Sequence, residues 1–235
     1  MASKLIIALD FDNHSTAMAL VNQLDPSLCA LKIGSEMFTL FGPQFVRALV
    51  EKQFKIFLDL KFLDIPNTVA HACAAAAELG VWMINVHASG GLTMMQTARD
   101  ALRPYGAHRP LLIAVTVLTS MGSDALASAE SVESRVCELA LLAQKASLDG
   151  VVCSVLEVPA IKAVCGGDFI TVTPGIRFSL DNLDDQVRVS TPEAALKAGS
   201  DYLVVGRPIT KASDPQQIVR NLLHTMNVAA ASSTP

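Results

Sequence analysis

Short apolar runs alternate with longer amphipathic segments along the chain. The runs have the length of strands, and the longer segments carry the apolar spacing of helices. The pattern predicts eight strands, each followed by a helix. The predicted strands are 4–9, 29–34, a third that starts at 55, 82–87, 111–117, 150–153, 169–173 and 202–205. The predicted helices end near 24, 53, 78, 102, 146 and 164, and the last two begin near 191 and 214.

This alternation, with its short connections, predicts an α/β fold, a single (β/α)8 TIM barrel over residues 1–235. The main alternative is an open, doubly wound sheet. That fold favours a glycine-rich phosphate loop after the first strand, and Leu9-Asp10-Phe11-Asp12 does not form one. No linker or change of composition divides the chain, and we expect only the tail at 229–235 to fray.

The third strand ends in a cluster of charges. Because side chains alternate along a strand, Asp59 and Lys61 should share one face, while the apolar residues beside them share the other. Asp64 follows the strand, and Pro66 suits the first turn of a helix. The simplest alternative is a buried ion pair that only orders the strand. Charges at the end of a barrel strand more often mark a site, so we expect a functional role.

Polar side chains recur at the ends of the predicted strands, where barrels of this type build their active sites. His87 has no identified partner, and we expect it to be structural. A Schiff-base role is an alternative for Lys32, although carboxylate neighbours favour its protonated form. The polar residues at these ends are Asp10, Lys32, Asp59, Lys61, Asn85, His87, Thr119, Ser120, Arg177 and Arg207.

The ends of the seventh and eighth strands carry Pro174-Gly175-Ile176-Arg177 and Gly206-Arg207. Barrels often bind phosphate at these two ends, where glycine permits close backbone approach and arginine can form two parallel hydrogen bonds. A pair of solvated surface arginines is the alternative. Gln186 lies in the long polar loop 178–187, which is a candidate lid over a phosphate.

Composition narrows the possible partners. The net charge is −4, which argues against a general nucleic-acid or membrane-surface binder. The five cysteines lack the spacing of zinc sites or redox motifs, so we expect reduced thiols in a cytoplasmic protein. The histidines show no paired metal spacing. The chain enters its first strand almost at once, so we expect no signal peptide, and no apolar run is long enough for a membrane span.

Beyond these local patterns, the chain resembles the orotidine 5′-monophosphate decarboxylase family of the bacterial type. The resemblance is specific because its motifs follow the family's order across nearly the whole chain. The motifs are Ile7-Ala8-Leu9-Asp10, Leu31-Lys32-Ile33-Gly34, residues 36–43, the Asp-x-Lys-x-x-Asp run 59–64 with Ile65-Pro66-Asn67-Thr68, and residues 86–91, 115–121, 173–177 and 205–208.

The resemblance implies decarboxylation of orotidine 5′-monophosphate to uridine 5′-monophosphate and CO2 in de novo pyrimidine biosynthesis, with no cofactor or metal. It implies that Asp59 faces the substrate carboxylate and that Lys61 protonates C6 after CO2 leaves. It further implies a homodimer in which Asp64 and Thr68 reach into the active site of the other subunit.

The resemblance also implies a set of binding residues. Asp10 and Lys32 would hold the ribose hydroxyls, and Thr119 and Ser120 would contact the pyrimidine. Residues that would bind the 5′-phosphate, or line the site beside it, are Pro174, Arg177, Gln186, Gly206 and Arg207.

The sequence is also compatible with two other functions. Hexulose-phosphate synthase and ketogulonate-phosphate decarboxylase resemble the chain in the Asp-x-Lys-x-x-Asp core but use Mg²⁺. The run Leu118-Thr119-Ser120-Met121 and the complete Pro-Gly-Ile-Arg sequence favour the pyrimidine enzyme. A non-catalytic nucleotide-binding barrel is the second alternative, and an intact Asp-Lys-Asp network has no evident purpose in such a protein.

Overall fold

Eight parallel strands close into a barrel in chain order, which confirms the predicted (β/α)8 fold. The computed structural model describes residues 4–119, 131–178 and 189–232. Each strand pairs with the next, and the last returns to the first, where Ile6 lies opposite Val204. The strands are β1 Leu5–Leu9, β2 Ala30–Gly34, β3 Ile56–Phe62, β4 Met83–His87, β5 Leu111–Val115, β6 Gly150–Val152, β7 Ile170–Thr173 and β8 Tyr202–Val205.

Helices surround the barrel, and most of their ends lie within about two residues of the predicted positions. The first helix is an exception, since it ends at Val21 rather than near 24. Thr191 caps the seventh helix as predicted, since its side-chain oxygen accepts a hydrogen bond from the N–H of Ala194 at 3.2 Å. The helices are α1 His14–Val21, α2 Ser35–Glu51, α3 Pro66–Ala77, α4 Gly91–Ala101, α5 Val132–Lys145, α6 Val158–Cys165, α7 Pro192–Lys197, α8 Arg207–Thr210 and α9 Pro215–Ser232.

Three further details differ from the expected elements. β5 ends at Val115, two residues before the predicted end, and the short helix α8 was not predicted. Helix α9 continues to Ser232, so part of the tail that we expected to fray is helical. The run Ala229-Ala230-Ala231 accounts for this continuation because alanine has the highest helix propensity. No helix in the described ranges is both long and apolar enough to cross a bilayer.

Packing among the described residues closes the middle and the amino-terminal end of the barrel. A small cluster of inward-facing apolar side chains, including Ile6, Phe57 and Met83, fills the middle of the barrel. At the amino-terminal end, the rings of Trp82 and Tyr202 pack edge to face with centroids 5.2 Å apart. A larger core between strands and helices supports the barrel from outside. Space for a ligand is therefore left at the carboxyl ends of the strands.

Candidate active site

The carboxyl end of β3 departs from regular strand geometry. Regular pairing with β4 stops after Leu58 and resumes at Phe62. Residues 59–61 of β3 therefore lie opposite a single residue of β4, Asn85. Lys61 lies in this bulge with φ at +52°, a left-handed conformation that is uncommon for residues with a Cβ. Its backbone N–H donates to the side-chain Oδ1 of Asn85 at 2.8 Å. An amide side chain thus replaces the missing strand partner.

Asp59 is the centre of a charged network. Lys61 Nζ lies 2.7 Å from its Oδ1, and Asn85 Nδ2 donates to the same oxygen at 2.7 Å. Lys32 Nζ lies 3.2 Å from its Oδ2 and 3.7 Å from Oδ1 of Asp10. Asp59 and Lys61 therefore do meet, as alternation predicted, although the backbone between them is bulged rather than regular.

The environment of Asp59 keeps its carboxylate ionised. Burial raises the pKa of Asp59, but the nearby ammonium charges of Lys32 and Lys61, with hydrogen bonds from Lys61 and Asn85, outweigh burial and hold the pKa below its usual value. The pKa of His87 is lowered by burial and then by the charge of Lys61. His87 is therefore neutral near pH 7, and it is not among the described residues that line the cavity.

A cavity of about 720 Å³ opens at the carboxyl ends of the strands. Most of the residues that we predicted for the site line it, and they come from six strands or the segments that follow them. Since β7 lies four strands from β3 in an eight-stranded barrel, the arginine of the β7 end faces the lysine of β3 across the cavity. The predicted residues that line the cavity are Asp10, Lys32, Asp59, Lys61, Thr119, Pro174, Arg177, Gly206 and Arg207.

The charge of the cavity wall is opposite to the net charge of the chain. Among the described lining residues, cations outnumber anions by five to two, whereas the whole chain carries −4. The cations are Lys32, Lys61, Arg177, Arg207 and Lys211, and the anions are Asp10 and Asp59. Such a cavity concentrates anionic ligands.

Arg177 is unusual because its guanidinium is buried and one of its N–H groups has no partner in the described part of the chain. Only 8% of the residue is exposed, and Nη1 donates to the carbonyl of Ile176 at 3.0 Å. Its Nε–H has no partner among the described residues. Gly175, with φ at +81°, makes the turn that carries this arginine to the cavity. A buried N–H without a partner is unfavourable, and an anion in the cavity would supply one.

Two predicted site residues lie outside this cavity, and two others fall outside the described residues. Asp64 and Thr68 are exposed on the β3–α3 connection and the first turn of α3, outside the cavity of their own chain. The Asp64 carboxylate accepts a hydrogen bond from the N–H of Ile65 at 2.6 Å. Ser120 and Gln186 lie outside the described residues, as does most of the loop that we considered as a lid.

Three residues of the site were missed by sequence reasoning. Asn85 was placed at the end of a strand without a role, although an amide among apolar strand neighbours was a usable signal. Thr210 and Lys211 line the cavity from the end of α8. They could not be found from strand ends alone, because that short helix was not predicted.

The geometry also bears on metal binding. Within 4–119, 131–178 and 189–232, no three His, Cys, Asp or Glu side chains converge as they would around a metal ion. The ammonium group of Lys32 lies between the carboxylates of Asp10 and Asp59 and pairs with both of them.

Comparisons with known proteins agree with this geometry. A model of the orotidine 5′-phosphate decarboxylase / HUMPS family matches residues 3–222. An orotidine 5′-phosphate decarboxylase of Legionella pneumophila (strain Philadelphia 1) is 61% identical over 96% of this chain and all of its own length. One from Haemophilus influenzae (strain Rd) is 56% identical over 94% of this chain and 98% of its own.

A solved structure gives the same result at the level of the fold. The crystal structure of orotidine 5′-phosphate decarboxylase from Lactobacillus acidophilus superposes with a TM-score of 0.85 at 38% identity. The match covers 95% of this chain and 98% of that one. This chain therefore belongs to the orotidine 5′-phosphate decarboxylase / HUMPS family.

Proposed function

We propose that this protein decarboxylates orotidine 5′-monophosphate to uridine 5′-monophosphate and CO2, a step of de novo pyrimidine biosynthesis. The observation that carries the proposal is the pairing of Lys61 Nζ with Asp59 at 2.7 Å, across a cationic cavity from the buried Arg177. Relatives at 55–61% identity over nearly the full chain bear the name of this activity. A substrate that is anionic at both its carboxylate and its phosphate matches the charge of the cavity.

The proposed chemistry centres on one ammonium group. The bond between C6 and the carboxylate carbon breaks, CO2 leaves, and the electron pair stays on C6. The Lys61 ammonium stabilises this developing negative charge and then transfers a proton to C6, and the amine regains its proton from water. Asp59 holds the ammonium in place and would lie beside the substrate carboxylate. Every atom and electron is accounted for without a cofactor.

The remaining cavity residues would bind the rest of the nucleotide. Asp10 and Lys32 would hold the ribose hydroxyls. The Nε–H of Arg177, which has no partner among the described residues, supports a phosphate contact at Arg177. Binding energy from the phosphate, remote from C6, would then assist the chemical step. The residues proposed for the pyrimidine are Thr119 and Ser120, and those for the phosphate end are Pro174, Arg177, Gln186, Gly206 and Arg207.

We further propose that the active enzyme is a homodimer with shared sites. Asp64 and Thr68 are exposed and do not line the cavity of their own chain. Two large apolar residues beside Asp64, Leu63 and Ile65, are 55% and 67% exposed, as expected of a surface that a partner covers. In this arrangement Asp64 completes the charge network of the neighbouring subunit.

The experiment that tests the function also separates it from the Mg²⁺-dependent alternative. Purified protein is incubated with orotidine 5′-monophosphate, and the loss of orotate absorbance is followed with and without excess EDTA. We expect turnover at the same rate in both samples. Loss of activity in EDTA that Mg²⁺ restores would favour a hexulose-phosphate type of enzyme. Binding of uridine 5′-monophosphate without any turnover would instead indicate a non-catalytic barrel.

A further inference from the structure

Asn85 is a buried amide in β4 that the roles above do not use, and 0% of it is exposed. It bridges two residues of β3. Its Nδ2 donates to Oδ1 of Asp59 at 2.7 Å, and its Oδ1 accepts the backbone N–H of Lys61 at 2.8 Å. Because a backbone N–H can only donate, the amide oxygen must face Lys61, which defines the orientation of the amide. One side chain thus contacts both members of the ion pair.

The first of these contacts supports an unusual backbone. Lys61 has φ at +52°, and the bulge removes the partner that its N–H would have in a regular ladder. Conformations of this kind are unfavourable and persist only where the surroundings hold them. Asn85 is the one residue of β4 between the two paired positions, so its side chain is the group that spans the gap.

The second contact orients the carboxylate. The Asn85 amide and the Lys61 ammonium both donate to Oδ1 of Asp59, which leaves Oδ2 to face Lys32 at 3.2 Å. The amide therefore opposes rotation of the carboxylate about its Cβ–Cγ bond. Asn85 is not one of the described residues that line the cavity. It would therefore act on a substrate only through Asp59 and Lys61.

We propose that Asn85 is a positioning residue for proton transfer to C6. It holds the backbone of Lys61 in the left-handed conformation and holds Asp59 in one rotamer, and together these contacts set where the ammonium group lies. The inference rests on the proposed function, because the position of the ammonium matters only if Lys61 donates the proton. A displacement of about 1 Å in such a group lowers turnover about 100-fold.

The test compares Asn85→Ala with a matched control, Thr116→Val. Thr116 is also a buried polar residue of the barrel, and its hydroxyl donates to the carbonyl of Val152 at 2.9 Å, away from the charge network. We expect Asn85→Ala to lose about 100-fold in kcat, with KM and the Kd of uridine 5′-monophosphate changed less than about threefold. The control should keep its kcat within about twofold.

A second variant, Asn85→Asp, gives a readout that a purely structural role would not move. Its ionised carboxylate repels Asp59 and lacks the donor, whereas its protonated form can donate to Asp59 and still accept from the N–H of Lys61. We expect the ratio of its kcat to that of the unaltered enzyme to rise as the pH is lowered from about 8 to about 5. Besides Asp59 and Lys61, the charged or titratable groups around this position are Lys32, which lies 3.2 Å from Asp59, and His87, which interacts electrostatically with Lys61 and Asp59. On β5, the residue paired with Asn85 is the uncharged Ile113.

The outcomes are distinct. If the unaltered protein does not turn over orotidine 5′-monophosphate, the proposed function fails, and this inference fails with it. If the protein is active but Asn85→Ala keeps its kcat, or the kcat ratio of Asn85→Asp does not change with pH, only the role of Asn85 is overturned. Failure of both variants to fold, judged by thermal melting, would also overturn it, because Asn85 would then be a folding residue.

Discussion

Among single residues, Lys61 combines features that rarely occur together. Its ammonium is paired with a buried carboxylate at 2.7 Å, its backbone is left-handed, and its side chain is only about one-third exposed, at 35%. A residue held in this way has little freedom to move, which is what positioned proton transfer requires. The sequence alone indicated its charge and its partner, whereas the backbone conformation became visible only with the structure.

We predict that Lys61→Ala lowers kcat by at least about 1,000-fold, because the variant lacks both the charge that stabilises C6 and the proton donor. Binding of uridine 5′-monophosphate should persist, since the proposed phosphate contacts are elsewhere. Absorbance kinetics and calorimetry measure the two quantities. The matched control is Lys55→Ala, which removes a lysine of the same segment at the opposite end of the barrel. The Lys55 ammonium lies 5.5 Å from the centre of the Trp82 ring. Comparable turnover in the two variants would exclude Lys61 as the acid.

Arg177 gives a second prediction at this scale. Arg177→Ala should lower kcat/KM for orotidine 5′-monophosphate by about 30-fold or more, since truncating one partner of a buried charge pair costs roughly 2 kcal/mol or more. The same variant should have little effect on orotidine, which lacks the phosphate. The control is Arg220→Ala, because Arg220 is exposed. An equal loss with both substrates would show that Arg177 does not act on the phosphate.

At the scale of elements, the two ends of the barrel have different tasks. The carboxyl ends of the strands carry the cavity, whereas the amino-terminal ends carry ion pairs that join neighbouring strands. Both guanidinium Nη atoms of Arg109 bond to Asp149 at 2.7 Å, and Asp149 also accepts the N–H of Leu112 at 2.8 Å. This carboxylate therefore ties the start of β5 to the residue before β6.

We predict that Asp149→Ala lowers the free energy of unfolding by about 1–3 kcal/mol and leaves kcat/KM within about twofold, because the pair is remote from the cavity. Urea unfolding and steady-state kinetics measure the two effects. Asp100→Ala is the control, since its pair with Arg103 has exposed side chains (55% and 73%) and should contribute less than about 0.5 kcal/mol. A loss of catalysis without a loss of stability would contradict this division of tasks.

The elements that were predictable from the sequence are those set by local periodicity. All eight strands and their order follow from short apolar runs, and the Thr191 cap follows from side-chain chemistry. The bulge in β3 was not predictable, because the alternation of side chains assumes a regular strand. The bulge also depends on a contact with Asn85, which lies 24 residues after Lys61. Helix α8 was missed because four residues are too few to show a helical period.

At the scale of the whole molecule, the exposed position of Asp64 is the basis for the proposed shared site. A hybrid dimer makes a direct test possible. Mixing inactive Lys61→Ala and Asp64→Ala subunits should restore one intact site per hybrid, because one cavity then has its own Lys61 and the partner's intact carboxylate. The assay is turnover after unfolding and joint refolding of the two variants.

The control for this mixture is Lys61→Ala with Asp59→Ala. Asp59 and Lys61 contact each other within one chain, so each cavity of that hybrid lacks a group and no site is restored. Activity in the first mixture alone would support the shared site. No activity in the first mixture, although hybrids form, would mean that Asp64 acts within its own chain.

The central claim is that this cationic barrel cavity replaces a carboxylate on C6 with a proton, without a cofactor. The most direct measurement is proton NMR of the product that EDTA-treated protein forms from orotidine 5′-monophosphate in D2O. We predict uridine 5′-monophosphate that carries deuterium at C6, so that the H6 signal is missing, together with one CO2 for each nucleotide. Unchanged substrate, or a product that retains its carboxylate, would contradict the account.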